Sequence, residues 1–337
     1  MKAFRQTIVT ISALTSLLLG IAGATFSISA HAQPFPAKPV TLMVPYPAGG
    51  LSDVIARRVN APLGKALGQP VLVDNLGGAS GSIAAQKTLA APSDGYMLFQ
   101  GSPNELIFAP LAISSAKYKP EDFRQIHRVG LAPMAIIARA DFPANNADEL
   151  VAYAIKAAKE GKSMTYGSVG TGSFYHLLGE QMSKVIGAPM LHVPYKGAAD
   201  VFKDMMGGQV DIFMTPYGAP QVELAKSGKL KFIAALSPGR GPLLPQLAST
   251  TESKLLKTFT AEIGTGYFVK RDTPEPTVQA LHKAIQTVML DPEFKASIVA
   301  LGQEMSPLQS LDAANKAFMD ETTQYRAIAK SINLQPQ

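Results

Sequence analysis

Two stretches carry residue types that suit gripping a small anion: Pro45-Tyr46-Pro47-Ala48-Gly49-Gly50 and Tyr166-Gly167-Ser168-Val169-Gly170-Thr171-Gly172-Ser173. Each reads as a strand, a glycine turn and a helix start. That junction points free backbone N–H groups outward from the positive end of a helix, which favours a carboxylate or phosphate. Strand-ending loops recur at Gly77-Gly78, Ser102-Pro103, Gly197 and Thr215-Pro216. One glycine after a strand is an ordinary tight turn. Several such loops suggest a gathering around one ligand, as happens at the carboxyl ends of strands in open α/β sheets.

The 167–173 loop is not a nucleotide fingerprint. Its glycines are spaced G-x-x-G-x-G, it lacks the lysine of a phosphate loop, and Val193-Pro194-Tyr195-Lys196 stands where an acidic ribose ligand belongs. Its hydroxyls, on Ser168, Thr171 and Ser173, suit a carboxylate, while Ser173 also suits a helix N-cap. Asp53 has two readings: a first-turn acid favoured by the helix dipole, or the residue that orders Gly49-Gly50 or bonds the ligand. Lys196 is the one cation in a candidate loop, and a solvated lysine is its default. Catalysis finds little support. His31 falls in the leader, His127 stands alone between domains and His282 lies near a polar helix face. His176 and His192 lack metal-ligand spacing, and Ser173 with His176 lacks a nucleophile elbow. No catalytic residue, metal or cofactor is expected.

These loops need a scaffold, and apolar periodicity supplies one. Strands are expected at Val40–Pro45, Val71–Asn75 and Tyr96–Gln100, with helices at Ser52–Leu67 and Ser80–Ala90; Pro62 should kink or break the first helix. This βαβαβ start implies a parallel sheet with right-handed crossovers. After Ala135–Ala138 a second α/β set runs to Leu236, followed by a proline- and glycine-rich loop, a strand at Thr260–Val269 and two or three helices. The first of these carries the stripe Val278, Leu281, Ile285 and Val288, and the last carries Phe318, Tyr325, Ile328 and Ile332. Their faces fit the uncovered N-terminal sheet. The chain is therefore expected to form domain 1 from 33–135 plus 262–337 and domain 2 from 136–261, with two crossings as a hinge and a cleft between.

Composition narrows the function. Lys2 and Arg5, the apolar run from Ile8 to Ile21 and Ala30-His31-Ala32 read as a cleavable signal peptide over 1–32, favoured over an uncleaved membrane anchor by the small residues and the A-x-A end, so a periplasmic chain starting at Gln33 is expected. Net charge falls from +6 to +4 when Lys2 and Arg5 leave with the leader. Basic residues are scattered, tryptophan is absent and no charge run occurs, so nucleic acid is not an expected partner. With no cysteine, disulfides, thiolate metal sites, thiol catalysis and a lipid anchor are not expected.

Together the motifs resemble the tripartite tricarboxylate transporter substrate-binding proteins, the Bug family of periplasmic receptors. The resemblance rests on Tyr46–Asp53, Leu67–Asn75, Pro92–Tyr96, Tyr166–Ser173, His192–Gly197 and Gly207–Asp211, in the family's order and across nearly all of the mature chain. It implies an α/β type II periplasmic binding-protein fold whose two domains close like a flytrap over a small organic carboxylate, held by loop amides, hydroxyls and water and handed to permease subunits. The expected ligand-binding residues are Tyr46, Ala48, Gly49, Gly50, Asp53, Ser102, Asn104, Ser168, Thr171, Ser173, His176, Tyr195 and Thr215. The carboxylate is expected between the Gly49-Gly50 amides and the Ser168, Thr171 and Ser173 loop, with Tyr195 walling the pocket. Departures at Ala48, at Gly101–Glu105 and at Ile212–Tyr217 leave the substrate open. A monomer is expected. A sensing partner of a membrane receptor, or an exported enzyme acting on a carboxylate or phosphate ester, are the alternative readings.

Overall fold

The computed structural model describes residues 35–241, 243–331 and 334–336; the leader and its cleavage site lie outside them, as does Ile332. The chain opens with parallel strands β1 (Val40–Val44), β2 (Val71–Asn75) and β3 (Met97–Gly101), connected by helices α1 (Leu51–Leu67) and α2 (Ser82–Ala90). β1 is central and largely buried, so both its faces are apolar, as a covered parallel strand requires. α1 lays Ile55, Ala56, Val59 and Leu63 on this sheet. Pro62 lies inside α1, yet the helix runs on through it to Leu67. Proline forfeits one backbone hydrogen bond; the buried stripe on either side of it outweighs that loss.

The 17-residue strand β4 (Phe123–Arg139) is the spine of the molecule. Beyond it come α3 (Ala147–Lys159), β5 (Thr165–Ser168), α4 (Phe174–Ile186), β6 (Leu191–Pro194), α5 (Ala198–Met206), β7 (Ile212–Pro216), α6 (Ala219–Lys226), β8 (Leu230–Ala235) and β9 (Glu262–Lys270). From Phe123 to Pro133, β4 pairs antiparallel with β9, which in turn pairs with β3. From Met134 to Arg139 its partners are β7 and β8. β5 lies parallel between β7 and β6. The sheet order is β2-β1-β3-β9-β4-β7-β5-β6, so two parallel halves are joined through antiparallel strands.

The chain ends with α7 (Glu275–Leu290), α8 (Pro292–Val299), the short β10 (Glu304–Met305) and α9 (Leu311–Ser331). Val278, Leu281, Ile285 and Val288 of α7 share an apolar cluster with Ile55, Val59 and Leu63 of α1, as expected from their spacing. Phe318 of α9 packs on Phe268 at 4.9 Å between ring centres.

Two histidines differ from expectation. His127 lies within β4, fully buried, and His282 is buried on α7, where its Nδ1 lies 2.9 Å from the Ile126 carbonyl oxygen. Their rings stack at 5.9 Å. Polar residues hide the first part of β4 from an apolar pattern search: Arg124 and Arg128 reach out at their tips to Glu275 and Glu321, while Gln125 and His127 are buried.

Candidate functional site

α1 and α5 begin on opposite sides of one cavity of about 210 Å³. Tyr46 to Ser52, Gln100 to Ser102 and Glu105 line it from the first half of the sheet; Tyr175, Gly197 to Asp200, Thr215 and Pro216 line it from the second. Both helices start at a glycine, Gly50 and Gly197, and neither N-cap supplies a side-chain hydrogen bond. First-turn N–H groups have no partner within their own helix. Two positive helix ends therefore meet at one cavity. Pro47 sets their approach: a Cβ added to Gly197 would come within 2.9 Å of the Pro47 ring.

The first loop is ordered by Asp53. Gly49, at φ 88°, donates its N–H to Asp53 Oδ2 at 2.9 Å, and Arg57 Nε donates to the same oxygen at 3.0 Å. Burial works against the Asp53 charge, but the Arg57 and Gly49 hydrogen bonds outweigh it and hold the carboxyl below its usual range. Asp53 thus supports the cavity from behind. Asn75 Nδ2 fixes the same loop through the Tyr46 carbonyl at 3.0 Å.

Past β3 the chain makes a π-helical turn, Asn104–Phe108, that sinks Glu105 completely into the wall. Ser102 donates its N–H and its hydroxyl to Glu105 Oε2 at 2.6 and 2.8 Å, and Tyr46 donates its hydroxyl to Oε1. Asn104 links the halves: its Nδ2 donates to Tyr46 Oη at 2.7 Å while its Oδ1 accepts the Phe174 N–H at 2.7 Å. Burial pushes the Glu105 carboxyl up, with the Tyr46 and Ser102 donors pulling it back, and burial together with the Glu105 charge pushes the Tyr46 phenol up.

Of the residues expected at the site, Tyr46, Ala48, Gly49, Gly50, Ser102 and Thr215 come together on the cavity wall. Asp53 and Asn104 lie behind it. The 167–173 loop contributes Val169 to the wall, but the Ser168 and Ser173 hydroxyls turn elsewhere. Ser168 Oγ lies 2.6 Å from His192 Nε2, Ser173 caps α4 by accepting the His176 N–H, and the Thr171 carbonyl accepts the Ser80 hydroxyl at 2.9 Å. His176 accepts the Gly172 N–H on Nδ1, and Tyr195 donates to Asp204 Oδ2 at 2.7 Å. The glycines of this loop serve close packing. A Cβ on Gly172 would meet the Ala112 Cβ at 2.2 Å, and one on Gly170 the Ser80 hydroxyl at 2.8 Å.

Ser52, Gln100, Glu105, Ala198, Ala199, Asp200 and Gln303 also line the cavity, unforeseen from sequence. Gly197-Ala198-Ala199 did carry a signal: a helix opening after a strand on residues without a capping side chain keeps its first donors free. Glu105 carried none, since Ser-Pro-Asn-Glu reads as a solvated turn.

Residues 55–334 match the tripartite tricarboxylate transporter family receptor. The chain belongs to this family. It is 34% identical over 289 residues to a UPF0065 protein from the TAR-I ttuE-ttuC' intergenic region of Agrobacterium vitis, covering 84% of this chain and 82% of that protein. Among solved structures it is similar to the periplasmic binding protein BugD, with 32% identity and a TM-score of 0.83 over 90% of this chain and 100% of that one. It is also similar to MatC of Rhodopseudomonas palustris, solved with bound malate, with 25% identity and a TM-score of 0.79 over 87% of this chain and 99% of that one. The fold is thus the α/β periplasmic binding-protein fold of this receptor family, and its relatives are periplasmic solute receptors.

The histidines off the cavity generate a pH dependence. The His176 and His192 rings stack at 4.0 Å. Burial, then the neighbouring His176, push His192 from 6.5 down to about 4. The folded state therefore keeps His192 neutral where the unfolded chain protonates it. Its contribution to stability is complete above pH 6.5 and is lost as the pH falls towards about 4. Denaturant unfolding of wild type and His192→Gln at pH 7, 5.5 and 4.5 checks this. Wild type should lose more stability across the series; parallel losses would show that His192 protonates freely in the fold.

Proposed function

We propose that this protein captures a small organic carboxylate between the N-termini of α1 and α5 and delivers it to the permease subunits of a tripartite tricarboxylate-type membrane transporter. The observation that carries this reading is the meeting of two uncapped helix starts in one cavity. Backbone N–H groups and helix dipoles bind an anion there without a cationic side chain. Family membership and the malate held by MatC support it. The ligand leaves unchanged, the receptor works as a monomer, and its periplasmic form begins at Gln33 after export. Residues 33–135 with 262–337 form one lobe and 136–261 the other. The change of β4 partners between Pro133 and Met134 supports a hinge at the crossing, about which the lobes close on the ligand.

In this proposal Tyr46, Ala48, Gly49, Gly50, Ser102 and Thr215 touch the ligand together with Ser52, Ala198 and Ala199. Asp53 and Asn104 position the first loop. Ser168, Thr171, Ser173, His176 and Tyr195 hold the facing half in place.

Gly197→Ala tests the spacing of the two helix ends. Gly197 has an extended backbone, so alanine adds no φ strain; its cost is contact with the Pro47 ring. Calorimetry with a panel of four- to six-carbon carboxylates should show the tightest binder weakened by roughly tenfold, the loss of about one charge-assisted hydrogen bond. Conversion of that binder's carboxylate to an amide should abolish measurable binding. Equal affinity of acid and amide would refute the anion site. N-terminal sequencing of the periplasmic protein should read from Gln33; a retained Met1 would contradict cleavage at Ala32.

A further inference from the structure

Two neutral side chains on the cavity wall are buried and incompletely bonded. Gln100 is 2% exposed and its Nε2 donates to the Ser52 carbonyl at 2.8 Å, while its Oε1 has no partner among the described residues. The Ser52 bond fixes the orientation of the amide, since turning it over would set oxygen against oxygen. Gln303 is 6% exposed, and its Nε2 likewise has no partner among the described residues. A buried polar group left unbonded costs free energy that a well-placed ligand group recovers.

The place of Gln100 in the fold says what that ligand group is. Gln100 lies near the end of β3, opposite Tyr267 of β9, so the sheet holds its backbone. Its amide is bonded to the second residue of α1. The orphan acceptor therefore sits beside the same helix start whose free N–H groups take the carboxylate, and a donor that reaches it is carried close to that carboxylate. An ammonium has three donors to place, whereas Gln100 Oε1 is one acceptor. Both oxygens of Glu105, on the same wall, are already engaged by Tyr46 and Ser102. A hydroxyl has one donor to place.

We infer that Gln100 determines specificity at this site: its Oε1 accepts a hydrogen bond from a hydroxyl on the carbon next to the gripped carboxylate, and the cavity selects 2-hydroxy acids over their deoxy counterparts. The inference rests on the carboxylate reading above and narrows it. A single fixed acceptor also distinguishes the two hands at that carbon. Gln303 Nε2 is a neutral donor for an acceptor elsewhere on the ligand, a second carboxylate included.

The test is calorimetry with the full mature chain and dicarboxylates of four, five and six carbons. Each is supplied unsubstituted, as both enantiomers of the 2-hydroxy acid and as the matching 2-fluoro acids, which keep a small polar substituent but lack the donor. In wild type one enantiomer of the hydroxy acid of best-fitting length should bind at least about fivefold tighter than the unsubstituted acid, as one hydrogen bond to a buried acceptor predicts. The fluoro acid of the same hand should gain nothing. Gln100→Met, close in volume but without the acceptor, should bring the ratio towards one, chiefly by weakening the hydroxy acid, with an unchanged circular dichroism spectrum. An unsubstituted or fluoro acid that binds wild type as tightly as the hydroxy acid, or a ratio that survives in a folded Gln100→Met, overturns the role of Gln100 and leaves the carboxylate grip standing. Failure of every acid in the panel to bind overturns both.

Discussion

Everything at the cavity depends on two helix starts held face to face with their first N–H groups unspent. A helix end costs free energy when its donors are buried without partners, and natural sequences usually spend a serine, threonine, aspartate or asparagine to cap it. Here Gly50 and Gly197 occupy the cap positions and offer no side chain. The first donors of both helices open on the cavity, where the proposed carboxylate takes them. What keeps them apart at a useful distance is the sheet: β4 pairs with β9 in one half and with β7 and β8 in the other, so one continuous strand joins the half that holds the α1 start to the half that holds the α5 start.

Supporting side chains handle charge in two contrasting ways. Asp53 sits behind the α1 start and is paired with Arg57, so its charge is compensated and its oxygen is free to pin Gly49. Glu105 has no cationic partner among the described residues; it is held by hydroxyl and amide donors from Tyr46 and Ser102, deep in the wall. The Arg57 and Gly49 bonds favour the charged form of Asp53, whereas burial of Glu105 disfavours its charge and pushes its carboxyl up, with the neutral donors offsetting only part of this. The same contacts tie the halves together, since Asn104 bonds both Tyr46 and the Phe174 N–H of α4. Tyr325 of α9 reinforces this seam by packing on Phe108 and Phe174, at 4.8 and 6.2 Å between ring centres.

Local periodicity made the parallel strands, most helices and the α1–α7 packing legible in the sequence, because each depends on residues a few positions apart. The long antiparallel β4 was only partly legible, since its polar residues break the apolar pattern and its partners are distant in the chain. Gly49-Gly50 revealed one wall of the cavity. The glycines of 167–173 gave the wrong emphasis, because a glycine that admits a ligand and one that admits Ser80 or Ala112 look alike in sequence. Glu105 was invisible for a different reason. Its role comes from burial in a π-helical turn, and nothing in Ser102-Pro103-Asn104-Glu105 encodes that turn by spacing.

The central claim is that a carboxylate is bound by backbone amides at both helix starts together. Amide 15N–1H spectra recorded during titration with the tightest-binding carboxylate report on those groups directly. The account predicts downfield proton shifts at Leu51 and Ser52 and at Ala199 and Asp200, all with one midpoint. Shifts confined to Gly167–Ser173, with both helix starts unmoved at saturation, would contradict it.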